Sequence, residues 1–261
     1  MKLVVVFLVS TFLMTYGAHG LLILFINQNT LTFESGIGQL LFILGGSAPT
    51  VMAFVMIHAL GSDAHKQTFY AQLKRFKTSL KWVLFALFMP LALALMHSLF
   101  ALISGIAFTD VPILPLYFVY LFPSIIFGGL EEIGWRGIVQ TQCQKRFGLL
   151  FFSIAFGVLW SFWHVPMFFI DALAHSNYNF IPFLLQGIVF SMFISWLFAK
   201  TKSLPLAVLF HAGINAAASA GYTIGLRHQL PTYIFIVIAF FSAVILIISY
   251  EKMVKTVTHD V

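Results

Sequence analysis

Charged residues make up only 8% of this 261-residue chain, against about 25% in an ordinary soluble domain. With 61% hydrophobic residues, 17% aromatics and a mean hydropathy of +0.99, that shortage excludes a water-soluble globule and points to an integral membrane protein. The formal charge of +6 is not a nucleic-acid signal, because the basic residues sit in short connections between apolar runs. There is one cysteine, Cys143, which excludes an intrachain disulfide and a cysteine-based metal site and reads as a small buried hydrophobe. Repeats, low-complexity linkers and soluble insertions are also missing, so residues 1–261 are read as one integral-membrane domain.

What is present is hydrophobic length. A spanning helix needs about 20 apolar residues, and stretches near 3–27, 37–60, 82–106, 115–136, 149–170, 179–199, 203–222 and 232–250 qualify. The first resembles a signal peptide up to Ala18-His19-Gly20, but it continues through LLILFI to Ile26, too long for a signal h-region, so it is expected to stay as a helix. With both termini cytoplasmic, the inner loops collect Lys2, Lys66, Lys74, Arg75, Lys77, Lys81, Lys145, Arg146, Lys200, Lys202, Lys252 and Lys255. The outer loops keep Arg227 with Glu34, Asp110 and Asp171. This asymmetry fits an all-α, eight-helix protein by the positive-inside rule. The stretch 62–81 adds Phe69, Leu73, Phe76 and Leu80 at helical spacing among lysines, the pattern of an amphipathic helix on the inner leaflet.

Polar groups inside the spans are functional candidates by default, because each is expensive in hydrocarbon. Helix four holds GGLEEIGWRG, with Glu131, Glu132 and Arg136; helix five holds His164; helix seven holds His211 and Asn215. His19, His58 and His97 are read as helix–helix hydrogen-bonding groups. The consecutive glutamates point about 100° apart. Glu132 and Arg136 stand at i and i+4, where a carboxylate meets a cation. Glu131 is left without a local charge partner, which suits a general base or acid. His211 with Asn215, and Trp160 with His164, repeat the i, i+4 spacing, and Pro166 follows to bend helix five. Together these groups could surround one water. Glu131 would take its proton during attack on a carbonyl, His164 would hold it, and His211 and Asn215 would donate to the oxyanion. The glycines at 128, 129, 134 and 137 permit close helix approach. One tension remains: at 1.5 Å per residue from the inner loops, Glu131 and His211 lie roughly 10–15 Å deep and His164 about 20–25 Å. A tilted or displaced helix five must close that gap.

In order along the chain, EEIGWR (131–136), Trp160-Ser-Phe-Trp-His164 and HAGIN (211–215) resemble the EExxxR, FxxxH and HxxxN motifs of the CPBP intramembrane proteases. That family takes in CAAX prenyl endopeptidases and bacteriocin-processing or Abi proteins. A tryptophan replaces the phenylalanine of the second motif and keeps an aromatic one turn before the histidine. The resemblance covers the core motifs, 131–215, and implies an eight-helix intramembrane endopeptidase. Its central quartet would be Glu131, His164, His211 and Asn215, with Glu132, Arg136 and Trp160 in support. It further implies water activation by the first glutamate and a site open towards the cytosol.

Glu131, His164 and His211 also form a plausible Zn²⁺ shell, although HExxH is absent, as are the GxSG and GxGD motifs of serine and aspartyl membrane proteases. A metal-free site is therefore preferred. The expected partners are membrane lipids and a membrane-bound or lipid-modified peptide, with no nucleic acid. The expected location is the cell membrane, as a multi-pass protein, the inner or plasma membrane if bacterial. Two other classes use the same residues: a non-catalytic bacteriocin-immunity or scaffold protein, and a proton-coupled transporter. The transporter calls for inverted repeats, of which the sequence shows no convincing trace.

Overall fold

A computed structural model describes residues 1–105, 114–221 and 229–259; the expected span ends at 106 and 222, and the outer-loop residues Asp110 and Arg227, lie outside them. The described residues are all-α. In chain order the helices are α1 (Lys2–Asn27), α2 (Gly36–Gly46), α3 (Ala48–Leu60), α4 (Asp63–Leu73), α5 (Leu80–Ile103), α6 (Leu114–Ile126), α7 (Gly129–Phe147), α8 (Leu149–Trp163, with a 3-10 extension Val165–Phe169), α9 (Phe180–Thr201), α10 (Leu204–Ser219) and α11 (Gln229–His259). Among the described residues five helices are long and apolar enough to cross a bilayer: α1, α5, α8 with its extension, α9 and α11. The pairs α2–α3 and α6–α7, bent by 53° and 42°, bring the total to seven. The stretch expected as span seven is the shorter α10, with 16 residues.

Both bends have local causes. At Ser47 the chain leaves one helix and begins another with Pro49 in its first turn, where proline's missing N–H does no harm. At 123–129 Pro123 removes a donor inside α6 and Gly128-Gly129 follow at the break. In hydrocarbon the backbone groups freed at such breaks need partners, and side chains supply them. Thr15 donates to the Gly45 carbonyl at 2.8 Å, and Thr50 donates to the Leu130 carbonyl at 2.7 Å. A Cβ on Gly134 would overlap the Pro49 carbonyl, so the α2–α3 bend rests directly on α7.

α7 begins as a 3-10 turn at Gly129–Glu131 and widens to π geometry at Trp135–Gln140, with Thr141 donating to the Arg136 carbonyl at 2.9 Å. It then continues to Phe147, eleven residues beyond the expected end at 136. Glu131 is therefore sixteen residues from the basic end of its helix, about 24 Å at helical rise. α10 starts inside the protein. Ser203 and Leu204 are fully buried, and a Cβ on Gly137 would lie 3.3 Å from Leu204. Counting outward from that contact, Glu131 is six residues from Gly137 and His211 seven from Leu204. His164, fifteen residues past Leu149, is about 22 Å along α8. The expected mismatch between Glu131 and His164 came from ending helix four too early: with α7 running to Phe147, the two lie at similar distances, about 24 and 22 Å, along their helices.

The amphipathic helix is real but shorter than expected. α4 starts at a Ser62–His65 capping box and stops at Leu73. Phe69 is 1% exposed and packs on Phe54 and Gly137, so it belongs to the protein core and not to a lipid-facing stripe. After the helix the Arg75 carbonyl accepts from Ser203 at 2.7 Å, which pins the chain to the α9–α10 link; Phe76 and Leu80 are exposed. His19 contacts the Phe42 carbonyl, His97 contacts Thr232, and His58 contacts Tyr70, so all three act between elements as expected.

α8 and α9 are in backbone contact: a Cβ on Gly157 would come 2.5 Å from Ile188 Cα. Gly157→Leu should destabilise the fold by about 1–3 kcal/mol through overpacking, read as a lower Tm in detergent. Gly17→Leu, where nothing lies within 4 Å of the added carbon, should leave Tm unchanged.

Candidate active site

The one-turn spacings of the sequence converge on a single cavity of about 470 Å³. Glu131 from α7, Trp160 and His164 from α8, and His211 and Asn215 from α10 all line it. Phenylalanines and other apolar groups from α2, α6 and α9 complete the wall.

The two glutamates have different surroundings. Glu132 is 1% exposed, and both its oxygens are occupied: Arg136 Nε donates to Oε2 at 2.6 Å, and His211 Nδ1 lies 2.9 Å from Oε1. Arg136 also donates to Ser195 Oγ at 2.8 Å and lies 4.6 Å from the Phe156 ring centre. Gln140 Nε2 donates to the Ser195 carbonyl at 2.8 Å. This network joins α7, α9 and α10. Glu131 takes no part in it; Trp160 Nε1 donates to its Oε2 at 3.2 Å. The expected Glu132–Arg136 pair is present. His211 is held through Nδ1 by Glu132, a contact between α10 and α7 that the spacing within either helix does not show.

The hydrogen bonds also define the imidazoles. His164 Nδ1 is 2.9 Å from the Trp160 carbonyl, which can only accept, so Nδ1 carries the proton and Nε2 presents a lone pair. His211 Nδ1 likewise donates to a carboxylate, leaving Nε2 as the nitrogen available to a ligand. Asn215 lies one turn further along α10, with its amide where a Cβ on Gly128 would be. Gly128 is thus needed for close approach.

A zinc shell of Glu131, His164 and His211 does not fit this arrangement. Among the described residues no three His, Cys, Asp or Glu side chains are grouped to hold an ion. Both histidine rings pack against the Trp160 indole, with centroids at 4.2 and 5.7 Å.

Several groups at the site escaped the sequence reading. Gln186 and Ser195 lie within an apolar span, so the rule that flagged the glutamates would have flagged them too. His175 had no such signal. It sits on a short 3-10 turn, Ala174–Asn177, between α8 and α9, stacks on His164 at 5.8 Å and lines the cavity. Burial lowers its pKa to about 4.

The sequence matches a known class of proteins. The family model for type II CAAX prenyl endopeptidase Rce1-like proteins matches residues 112–217. CAAX prenyl protease 2 of Methanococcus maripaludis is 30% identical over 233 residues, which cover 80% of this chain and 81% of the relative. The chain belongs to the CPBP family of intramembrane proteases and is a multi-pass membrane protein.

Arg136→Met should destabilise the protein by about 3–5 kcal/mol, since it leaves the Glu132 charge buried without its cation. The Glu132→Gln/Arg136→Met double variant should be less damaged, as measured by denaturation in detergent. For His175, the unfolded chain binds a proton near pH 6.5 that the folded chain refuses until about pH 4. Stability should therefore fall as pH drops through that window. A Tm-against-pH series should show that slope reduced in His175→Leu.

Proposed function

We propose that this protein hydrolyses a peptide bond of a membrane-associated or lipid-tethered peptide, with Glu131 as the water-activating base. The observation that carries the reading is the separation of the two carboxylates. Glu132 is saturated by Arg136 and His211, whereas Glu131 faces the cavity with only indole donors beside it, those of Trp160 and Trp135. A packing role would not call for an acid there, because an apolar residue fills a cavity wall at lower desolvation cost.

Charge balance gives the resting state its chemistry. Glu131, Glu132, Arg136 and His211 sum to zero either with Glu131 protonated and His211 neutral, or with Glu131 ionised and His211 protonated. Both states are tolerable in a low-dielectric site, and they differ by one proton. In the second state Glu131 takes a proton from a water whose other hydrogen bonds to His164 Nε2. The water oxygen attacks the peptide carbonyl carbon. Negative charge forming on the carbonyl oxygen is met by the second N–H of His211, at Nε2, and by the Asn215 amide. Glu131 then returns the proton to the leaving nitrogen as the C–N bond breaks, giving a carboxylate and an amine. The relative's name points to prenylated proteins as a substrate class, and the apolar cavity wall supports an apolar anchor beside the cleaved bond.

Purified protein with fluorogenic membrane peptides tests the assignment. Glu131→Gln should reduce cleavage by about 10²–10⁴-fold with Tm unchanged, while Glu132→Gln should lower both. Cleavage that persists in a zinc chelator supports the carboxylate mechanism. Loss that Zn²⁺ restores would replace it with a metal-dependent one.

A further inference from the structure

Away from the cavity, three cations from separate segments come together. Lys202 ends α9 with a left-handed backbone, φ 53°, where glycine is the usual residue, so a lysine stands there against backbone preference. Its side chain is half-buried, with Nζ 5.6 Å from the Phe198 ring centre. The backbone of Arg75 is fixed beside it, because the Arg75 carbonyl accepts from Ser203 Oγ at 2.7 Å. Lys145 comes from the end of α7, which Thr141 ties to the same segment by donating to Gln72 Oε1 at 3.2 Å. Burial lowers the pKa of the Lys202 ammonium, and the charges of Lys145 and Arg75 lower it further. Among the described residues the ion pairs are Lys66–Asp63, Arg136–Glu132 and His211–Glu132, so none of the three cations has a carboxylate partner. Repulsion within such a cluster is relieved by a bound anion.

The surroundings indicate which anion. Arg75 lies in the link from α4 to the apolar helix α5, and Lys202 directly follows the apolar helix α9, so the cluster stands where hydrocarbon gives way to headgroups. Phe76 and Leu80, in or next to the same link, are 72% and 69% exposed. A free phosphate makes no use of them, whereas the acyl chains of a lipid cover apolar groups beside its phosphate. We propose that Arg75, Lys145 and Lys202 form a binding site for the phosphate of an anionic phospholipid, whose acyl chains lie against Phe76 and Leu80. The Arg75 guanidinium matches the geometry of phosphate oxygens, and the two lysines add point charges. Bound there, the lipid joins the end of α7 to the α9–α10 link and braces the helices that carry Glu131, Ser195 and His211.

Thermal unfolding of the purified protein in neutral detergent tests this, with phosphatidylglycerol, phosphatidylcholine or inorganic phosphate titrated in. Phosphatidylglycerol should raise Tm in a saturable way and phosphatidylcholine should not; equal shifts from the two lipids, or none from either, overturn the proposal. A shift that inorganic phosphate reproduces in full makes this a free-anion site and overturns the lipid assignment. Lys202→Met, which keeps the apolar stem over Phe198, and Arg75→Gln should each weaken the apparent affinity for phosphatidylglycerol by about fivefold. Lys252→Gln removes the same charge from α11 and should leave that affinity unchanged; an equal loss there means diffuse attraction to the basic face and overturns the site. Without anionic lipid, Lys202→Met should be at least as stable as the wild type, since it removes repulsion among the three cations. A Tm lowered equally with and without phosphatidylglycerol makes Lys202 a packing residue and overturns its role as a ligand. The readout needs no substrate, so the lipid site stands or falls apart from the protease reading.

Discussion

A guanidinium cannot shed its proton inside a membrane protein, so Arg136 obliges the surrounding helices to satisfy it. Glu132 neutralises it, Ser195 takes another donor, and Phe156 covers its face. The second oxygen of Glu132 remains, and His211 fills it from α10. Three helices are thereby held in register by one buried charge, and a fourth supplies the ring beneath it. The consequence for the neighbouring carboxylate is release: the guanidinium Nε and His211 Nδ1 are committed to Glu132, and Glu131 faces the cavity with only indole donors beside it. Replacing the cluster with apolar packing could preserve the helices, but it would lose the fixed Nδ1 contact that leaves His211 Nε2 available to a ligand.

Irregular backbone gathers around the same place. The break at Gly128, the 3-10 start of α7, its π-helical turn and the bend at Ser47 all lie against one another, inside protein and not against lipid. That is the condition under which a membrane protein tolerates freed backbone groups. Thr50 illustrates the coupling, since a residue at the start of α3 supplies the donor that the opening of α7 lacks. The glycines contribute by contact more than by conformational freedom. At Gly128 the space is taken by Asn215, at Gly134 by Pro49 and at Gly137 by Phe69 and Leu204.

Much of this was legible in the sequence, because hydrophobic length and i, i+4 spacing are local properties. The all-helical, multi-pass character, the Glu132–Arg136 pair and the structural roles of His19, His58 and His97 needed little else. The errors fell where a tertiary contact overrides a local pattern. Phe69 continues an amphipathic stripe on paper, yet it is drawn into the core because Gly137 leaves room for it. The contact of His211 with Glu132 was not legible for a related reason: it joins α10 to α7, and no spacing within either helix reveals it. His175 lies in a connection without periodicity, where no local rule applies.

The shortness of α10 has a consequence for its surroundings. Sixteen residues span about 24 Å, several ångströms less than a typical hydrocarbon core of about 30 Å. The helix need not match the bilayer, because neighbouring helices cover most of it and Ser203 and Leu204 at its start are fully buried. His211 and Asn215 are thereby carried on a helix surrounded largely by protein. Hydrolysis consumes water, and the cavity these two residues line is where that water must be held.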